Sequence, residues 1–322
     1  MHHRVKIAGW VLLLVGAGLI PSARAAAPAR VVILKSADRT AYSQVVAGFS
    51  SEARARVSEV TLQEGRGEAV QRENAALLAR IAQENPALVL AIGPTAANAA
   101  KKALTRTPVV FCMVPYFEKY GLEGANVTGI GMTSDLSVEL TMLRSLGEGI
   151  RRVGILHDPR YSSQVVAQAV AQAKPRGLTI VPLEADSQSR AEQVLAGARD
   201  KIDALLMVAD KTVATESLVR LLIGKTRSAG IPLVALSPTQ VKEGALVSIA
   251  PTPTGIGQQA GRLANRIVHE KVDPGALAVS GPELLEVSWN LSAARGLGST
   301  CELTTELFKL AAARGYPLRV YE

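Results

Sequence analysis

From Arg30 onward the chain repeats one unit: a short unbroken run of β-branched and aliphatic residues, then a stretch whose apolar residues recur at helical spacing. Val31-Val32-Ile33-Leu34 leads into a helix through Tyr42, Val46 and Phe49, and Val60-Thr61-Leu62 into one with Val70, Leu77, Leu78 and Ile81 on one stripe. Leu88-Val89-Leu90-Ala91-Ile92 is followed by a helix from Thr95, and Val109-Val110-Phe111-Cys112-Met113-Val114 closes the set. Strands with one wet face alternate apolar and polar residues. Runs this continuous belong to parallel strands covered by helices on both faces. A second set begins at Val153-Gly154-Ile155-Leu156 and continues through 178–181, 204–208 and 232–236, each run beside an amphipathic helix. Two successive series of four strands predict an α/β chain of two Rossmann-like doubly wound lobes, connected through 126–130.

The residues after the second series indicate how the lobes are joined. A strand at 245–249, the rigid Pro251-Thr252-Pro253-Thr254, a helix from Gly255 to Val272 and one more strand-like run at 284–289 remain. A chain with two complete series needs such an extra helix and strand if it returns to the first lobe and crosses back. Several crossings make a multi-strand hinge that closes with little twist. The pattern assigns 26–130 with about 252–283 to an N-terminal lobe, and 131–251 with about 284–322 to a C-terminal lobe.

Residues 1–25 stand outside this pattern. Arg4 and Lys6 precede an apolar run from Gly9 to Ile20, then Pro21, Ser22 and the small-x-small triplet Ala23-Arg24-Ala25. That is the layout of a cleaved secretory signal peptide. The run is shorter than the ~20 apolar residues a membrane span needs. Export removes Arg4, Lys6 and Arg24 and no acid, so the formal net charge falls from +8 to +5. The remaining basic residues are scattered and do not interleave with aromatics, which excludes a nucleic-acid surface of the usual kind. Two cysteines remain, Cys112 and Cys301; an oxidising compartment permits a bridge, and two buried free thiols fit equally. His157 and His269 are the histidines left, and neither sits in a ligand-spaced cluster. No metal and no cofactor is expected.

No catalytic constellation is legible. The nearest pattern to a dinucleotide loop, Gly255-x-Gly257-x-x-Ala260-Gly261, stands after two full lobes, and a glycine-eased helix start explains it better. In open α/β sheets, ligands sit beyond the carboxyl ends of the strands, where helix N-termini offer free N–H groups. That rule selects Ser36, Asp38 and Tyr42 after the first strand, Gly93-Pro94-Thr95 after the third, and Tyr116 after the fourth. In the second lobe it selects Asp158, Tyr161, Ser162 and Ser163, then Asp210-Lys211-Thr212. Each also has a structural reading: Thr95, Ser162 and Ser163 as helix N-caps, Asp158 as a turn residue, Asp210 as the cap of the helix holding Val213 and Leu218. Convergence at one end of both lobes favours a cleft in which tyrosines wall a small molecule. A carboxylate such as Asp210 would then meet the amine of a zwitterion.

With these residues in this order, the sequence resembles the ABC-transporter substrate-binding family that includes tryptophan- and tyrosine-type binding proteins. The resemblance runs from about Val31 to Gly298. It rests on Tyr42 and Gly48-Phe49, Gly93-Pro94-Thr95-Ala96, Pro108-Val109-Val110-Phe111, Asn126-Val127-Thr128-Gly129, Asp158-Pro159, Asp210-Lys211-Thr212-Val213, Gly244-Ala245-Leu246 and Asn290-Leu291-Ser292-Ala293-Ala294. It implies the type I periplasmic binding protein fold, a periplasmic home and no catalysis. It also implies an inner-membrane ABC permease as partner, a monomer, and pocket loops at Ser36, Thr95, Ser162/Ser163 and Asp210. The chain departs from the family at Val114-Pro115-Tyr116-Phe117, where an Asp-Pro pair is common, in a shorter loop after Asp158-Pro159, and in a tail from Cys301 to Glu322 with Leu303, Leu307 and Leu310 on a stripe. The expected function is the solute-binding component of an importer that closes on a small, amino acid-like molecule. The alternative is a ligand sensor or scaffold signalling to a membrane receptor, and an exported enzyme ranks below both.

Overall fold

A computed structural model describes residues 28–132, 136–297 and 300–322; the signal-peptide reading therefore lies outside the described residues, as does the side chain of Cys301. Two sheets organise the chain. The first has five parallel strands in the order β2-β1-β3-β4-β5: β1 (Arg30–Lys35), β2 (Arg56–Thr61), β3 (Leu88–Ile92), β4 (Val109–Val114) and β5 (Val127–Gly131). The expected four-strand count is one too low here. The segment read as a connection forms β5, buried along its length. Its two glycines disguised it: Gly129 lets the Phe111 ring and backbone come within 2.6 Å of where a Cβ would stand.

Helices α1 (Thr40–Glu52) and α9 (Pro253–Val268) cover one face of this sheet, and α2 (Glu68–Glu84) and α3 (Pro94–Ala103) the other. The unbroken apolar runs follow from this double cover, which removes both faces from water. The helix α9 returns from the second sheet and packs on α1 at unusually short range. A Cβ on Gly48 would lie 2.1 Å from the Thr254 carbonyl oxygen, and one on Gly257 2.1 Å from that of Val45. The Gly255-x-Gly257-x-x-Ala260-Gly261 pattern is thus a packing seam between two helix backbones.

The second sheet has seven strands in the order β12-β11-β10-β9-β8-β6-β7. These are β6 (Arg152–His157), β7 (Thr179–Glu184), β8 (Ala204–Leu206), β9 (Leu233–Ala235), β10 (Val247–Pro251), β11 (Leu285–Asn290) and β12 (Leu318–Tyr321), with β11 antiparallel to β10 and the rest parallel. One face carries α4 (Leu136–Ser145), α5 (Pro159–Ala173), α10 (Leu291–Gly296) and α11 (Thr300–Arg314). The other carries α6 (Gln188–Ala198), α7 (Glu216–Ala229) and α8 (Pro238–Lys242). Trp289 is fully buried in the first of these cores. The tail is part of the lobe: Leu307 is buried against that core, and β12 extends the sheet beside β11.

The chain passes between the sheets after Met132, at 251–253 and at 281–284. The last two touch through Thr252 N–H and the Leu284 carbonyl, at 3.4 Å. Buried Gln259 holds the third: its amide donates to Ser280 Oγ (3.1 Å) and the Gly281 carbonyl (2.9 Å), and its oxygen accepts from Glu283 N–H (3.0 Å). No helix among the described residues is long and apolar enough to cross a membrane. Cys112 is a free, buried thiol, and burial pushes its pKa far up.

Candidate functional site

The carboxyl ends of β1 and β3 meet at Gly93. With φ of 90°, this residue adopts a backbone that favours glycine, and a Cβ there would lie 2.4 Å from the Tyr42 hydroxyl and 2.7 Å from Ser36 Oγ. Ser36 Oγ accepts the Ala96 N–H at 2.8 Å, satisfying a first-turn donor of α3 that no helix carbonyl can reach. Pro94 starts the helix, Gly93 is its cap, and Thr95 is exposed in the first turn, so Thr95 is not an N-cap. Burial of Tyr42 raises its phenol pKa, with Arg39 opposing and Cys112 adding a little. Asp38 belongs elsewhere. It pairs with Lys35 at 2.8 Å, accepts the Thr61 hydroxyl at 3.0 Å and sits exposed beside β2, with Lys35 holding its pKa down.

The loop after β4 is where the chain departs from the family pattern, and its backbone is strained. Met113 (φ 55°) and Tyr116 (φ 52°) are left-handed without being glycine, and the β4–β5 register shifts between Phe111 and Val114. Such conformations cost of order 1–3 kcal/mol each and concentrate at functional loops. They lead into a 3₁₀ turn, Phe117–Tyr120, anchored by the Phe117 ring against Phe111 with centroids 5.4 Å apart. On that turn Lys119 places its ammonium 4.7 Å from the Tyr116 ring centre.

The facing rim of the second lobe is built around two buried carboxylates. Asp210 is 3% exposed. Its Oδ2 accepts Asp158 N–H (3.0 Å) and Ser162 Oγ (2.6 Å), and its Oδ1 accepts the N–H groups of Thr212 (2.8 Å) and Val213 (3.2 Å). Asp158 is fully buried and caps α5 through Arg160 N–H (3.0 Å). It also takes the Arg160 guanidinium (2.6 Å) and the Thr212 hydroxyl (2.7 Å), and these, Arg160 first, hold its carboxyl well below the usual range.

Asp210 therefore braces loops: it caps the single turn 210–214, while α7 starts later at its own cap, Thr215. Ser162 is buried on Asp210, and the Ser163 hydroxyl turns back to the Pro159 carbonyl, so neither is an N-cap. His157, at the end of β6, is 3% exposed, and neither ring nitrogen has a hydrogen-bond partner among the described residues.

The two rims meet. Lys119 Nζ of the first lobe lies 5.4 Å from the ring centre of Tyr161 in the second, and Asp210 is close enough to Tyr116 to help burial raise its phenol pKa. Tyr161, 42% exposed, also has Arg160 at 5.7 Å and Lys211 Nζ at 5.9 Å. The structure thus collects Tyr116, Tyr161, Asp158, Asp210 and Thr212 at one cleft. Ser36, Tyr42, Gly93 and Thr95 share the first-lobe wall, and Asp38 is apart. Lys211 stands within the Asp210-Lys211-Thr212 run that the strand-end rule selected, whereas Lys119 is an addition that the rule passed over; the charged, aromatic Tyr116-Phe117-Glu118-Lys119-Tyr120 loop was the available signal. A surface groove of about 330 Å³ between α6 and α7 is lined by Ile202 and Ile231, which precede β8 and β9. It lies at the amino ends of the strands, opposite the cleft.

Known proteins share this fold. A family model described as ABC transporter substrate binding protein matches residues 39–313. A ligand-free, open substrate-binding protein with adhesive properties from Clostridium difficile superposes with a TM-score of 0.69 at 18% identity, covering 84% of this chain and 95% of that one. The ABC domain from Streptococcus pneumonia in complex with L-Trp gives a TM-score of 0.58 at 17% identity, covering 90% and 100%. A mutant XylFII–LytSN complex gives 0.59 at 13% identity, covering 81% and 97%. At these identities the likeness is one of fold, the type I periplasmic binding protein fold. No curated protein matches in sequence.

Proposed function

This chain belongs to the ABC transporter substrate-binding protein family, and from that premise we propose that it is the periplasmic solute-binding component of an importer. It would be exported after cleavage behind Ala25, close as a monomer on a small polar, amino acid-like molecule, and deliver it to an inner-membrane permease. The lobes of this reading are 26–130 with 252–283 and 131–251 with 284–322. The packing of α9 on α1 and the pairing of β11 with β10 support that division. The observation that carries the proposal is the contact across the cleft, in which Lys119 of one lobe reaches Tyr161 of the other at the carboxyl ends of both sheets. A molecule lodged there touches both lobes and so stabilises the closed pair over the open one. Its wall is Ser36, Tyr42, Gly93, Pro94, Thr95 and Tyr116 on one side and Tyr161 with the Asp158–Asp210–Thr212 brace on the other. No bond is made or broken; His157 lacks a catalytic partner among the described residues.

Thermal-shift screening of the purified chain against amino acids, sugars, nucleosides and small carboxylates tests this. Ligand at about 100 times its dissociation constant stabilises a fold by roughly 2.7 kcal/mol, and the ligand should be recovered unaltered. A ligand consumed in the assay would point to an enzyme instead. The sensor reading draws on the XylFII–LytSN likeness. Capture of the liganded chain by a receptor ectodomain, with no stimulation of transport in permease vesicles, would favour it.

A further inference from the structure

We propose that the ligand of this cleft is a small organic anion with more than one carboxylate, selected by Lys119 and Lys211. The inference rests on the cleft being the ligand site and concerns the charge of what it holds. The three aspartates that the strand-end rule offered to a ligand amine are already used. Both oxygens of Asp210 are filled by four protein donors, Asp158 is taken by Arg160 and Thr212, and Asp38 is paired with Lys35 beside β2. The basic groups are not used in the same way. Arg160 is tied to Asp158, but Lys119 and Lys211 have no carboxylate partner among the described residues, Glu118 on the same turn included. Each makes only ring contacts, at 4.7 and 5.4 Å for Lys119 and 5.9 Å for Lys211.

Their placement across the cleft matters more than their number. Lys119 comes from the 3₁₀ turn of the first lobe and Lys211 from the loop after β8 of the second, and both approach the Tyr161 ring. Two like charges brought together by closure repel each other, and an anion between them turns that repulsion into attraction to a shared partner. The tyrosine faces Tyr116 and Tyr161 would hold the ligand's hydrocarbon part while the lysines, displaced from the rings, take its carboxylates. A net-neutral amino acid presents one carboxylate for two ammoniums and an amine that none of Asp38, Asp158 and Asp210 is free to receive. A dicarboxylate or acidic amino acid satisfies both lysines.

Calorimetric titration of the full chain with succinate and L-glutamate, against L-tryptophan, L-leucine and choline, reads the charge preference directly. The anions should bind, more weakly as salt rises. Lys119→Gln and Lys211→Gln should each weaken them about tenfold or more, while Lys119→Arg largely restores binding. Lys102→Gln, an exposed change of equal charge on α3, should leave it alone. Binding of a neutral or cationic probe that Lys119→Gln leaves unchanged would overturn the anion assignment and keep the binding-protein reading. Anion binding indifferent to both lysines would also overturn it. Silence across the panel, in a chain folded by circular dichroism, would count against the cleft as a ligand site and take this inference with it.

Discussion

Asp210 and Thr95 show how differently two residues of one cleft can serve it. The Asp210 carboxylate joins the end of β6, the first turn of α5 and the turn 210–214 through four hydrogen bonds, three of them buried and the one to Thr212 N–H half-buried. Removing it strands those donors in the interior, and a lost hydrogen bond to a charged group costs about 1.5–3 kcal/mol. Asp210→Ala is therefore expected to lower the stability of the unliganded chain by on the order of 3 kcal/mol, seen as an earlier urea midpoint. The Thr95 hydroxyl is exposed and bonds nothing among the described residues, so Thr95→Ala should leave that midpoint in place and change only ligand affinity. Asp158 adds a pH dependence. Its folded pKa is depressed, chiefly by Arg160, so its stabilisation is complete above the unfolded carboxyl value near 4 and drains away as pH falls below it. Urea midpoints of wild type and Arg160→Gln should differ at neutral pH and converge in acid, where Asp158 is protonated in both. Parallel curves would show that Arg160 acts on something other than this carboxylate. The sequence placed these acids at the correct strand ends but not their role, because the donors that saturate Asp210 lie 48 and 52 residues away for Ser162 and Asp158.

Among the elements, the α1–α9 contact is the one in which single atoms decide the geometry. The backbones touch across Gly48, Gly257 and Gly261, and a methyl group on Gly257 would meet Val45 O at 2.1 Å and Phe49 N at 2.8 Å. Backbone cannot swing aside as a flexible side chain does, so Gly257→Ala must push the helices apart, at about 2–3 kcal/mol for an overpacked core site. Gly48→Ala should do the same. The double variant should cost less than the sum, because the helices separate once for both methyls. Gly224, exposed on α7 with open space around it, is the control: Gly224→Ala should stabilise by up to about 1 kcal/mol through helix propensity alone. Guanidinium melts of the four variants would check the set, and a neutral Gly257→Ala would mean the seam is looser than its distances imply. This seam also marks a limit of sequence reading. Continuous apolar runs identified β1, β3, β4 and β6, since burial on both faces leaves its mark in every residue. The glycines of α9 resembled a nucleotide loop because close approach to a phosphate and close approach to a helix ask the same of a backbone. β5 and β12 escaped for related reasons. One is interrupted by glycines that admit Phe111 and Phe117, and the other is a four-residue edge strand beside β11 with no fully buried residue, so it carries no continuous apolar run.

At the scale of the whole molecule the lobes are joined at several places and packed separately, which favours motion as two rigid bodies. Gln259 is the point where this can be tested. It sits on α9, in the first lobe, and clamps the stretch that crosses to β11 through Ser280, Gly281 and Glu283. Gly131 N–H, bonded to the Ser280 carbonyl at 2.9 Å, ties the same stretch to the end of β5. If closure is a hinge motion about these crossings, ligand should shrink the radius of gyration in solution scattering while far-UV circular dichroism stays constant, since no helix or strand melts. Gln259→Leu frees the crossing on one side and should broaden the unliganded scattering distribution toward open forms. Apparent affinity then falls in proportion to the competent fraction: a chain closed-competent a tenth as often binds about tenfold more weakly, with the cleft residues untouched. The expected pairing is therefore a wider distribution with a weaker dissociation constant and an unchanged ligand preference. Scattering that ligand does not alter in the wild type would mean that the cleft fills without the lobes moving, and binding would then have to be read at the permease by some signal other than closure.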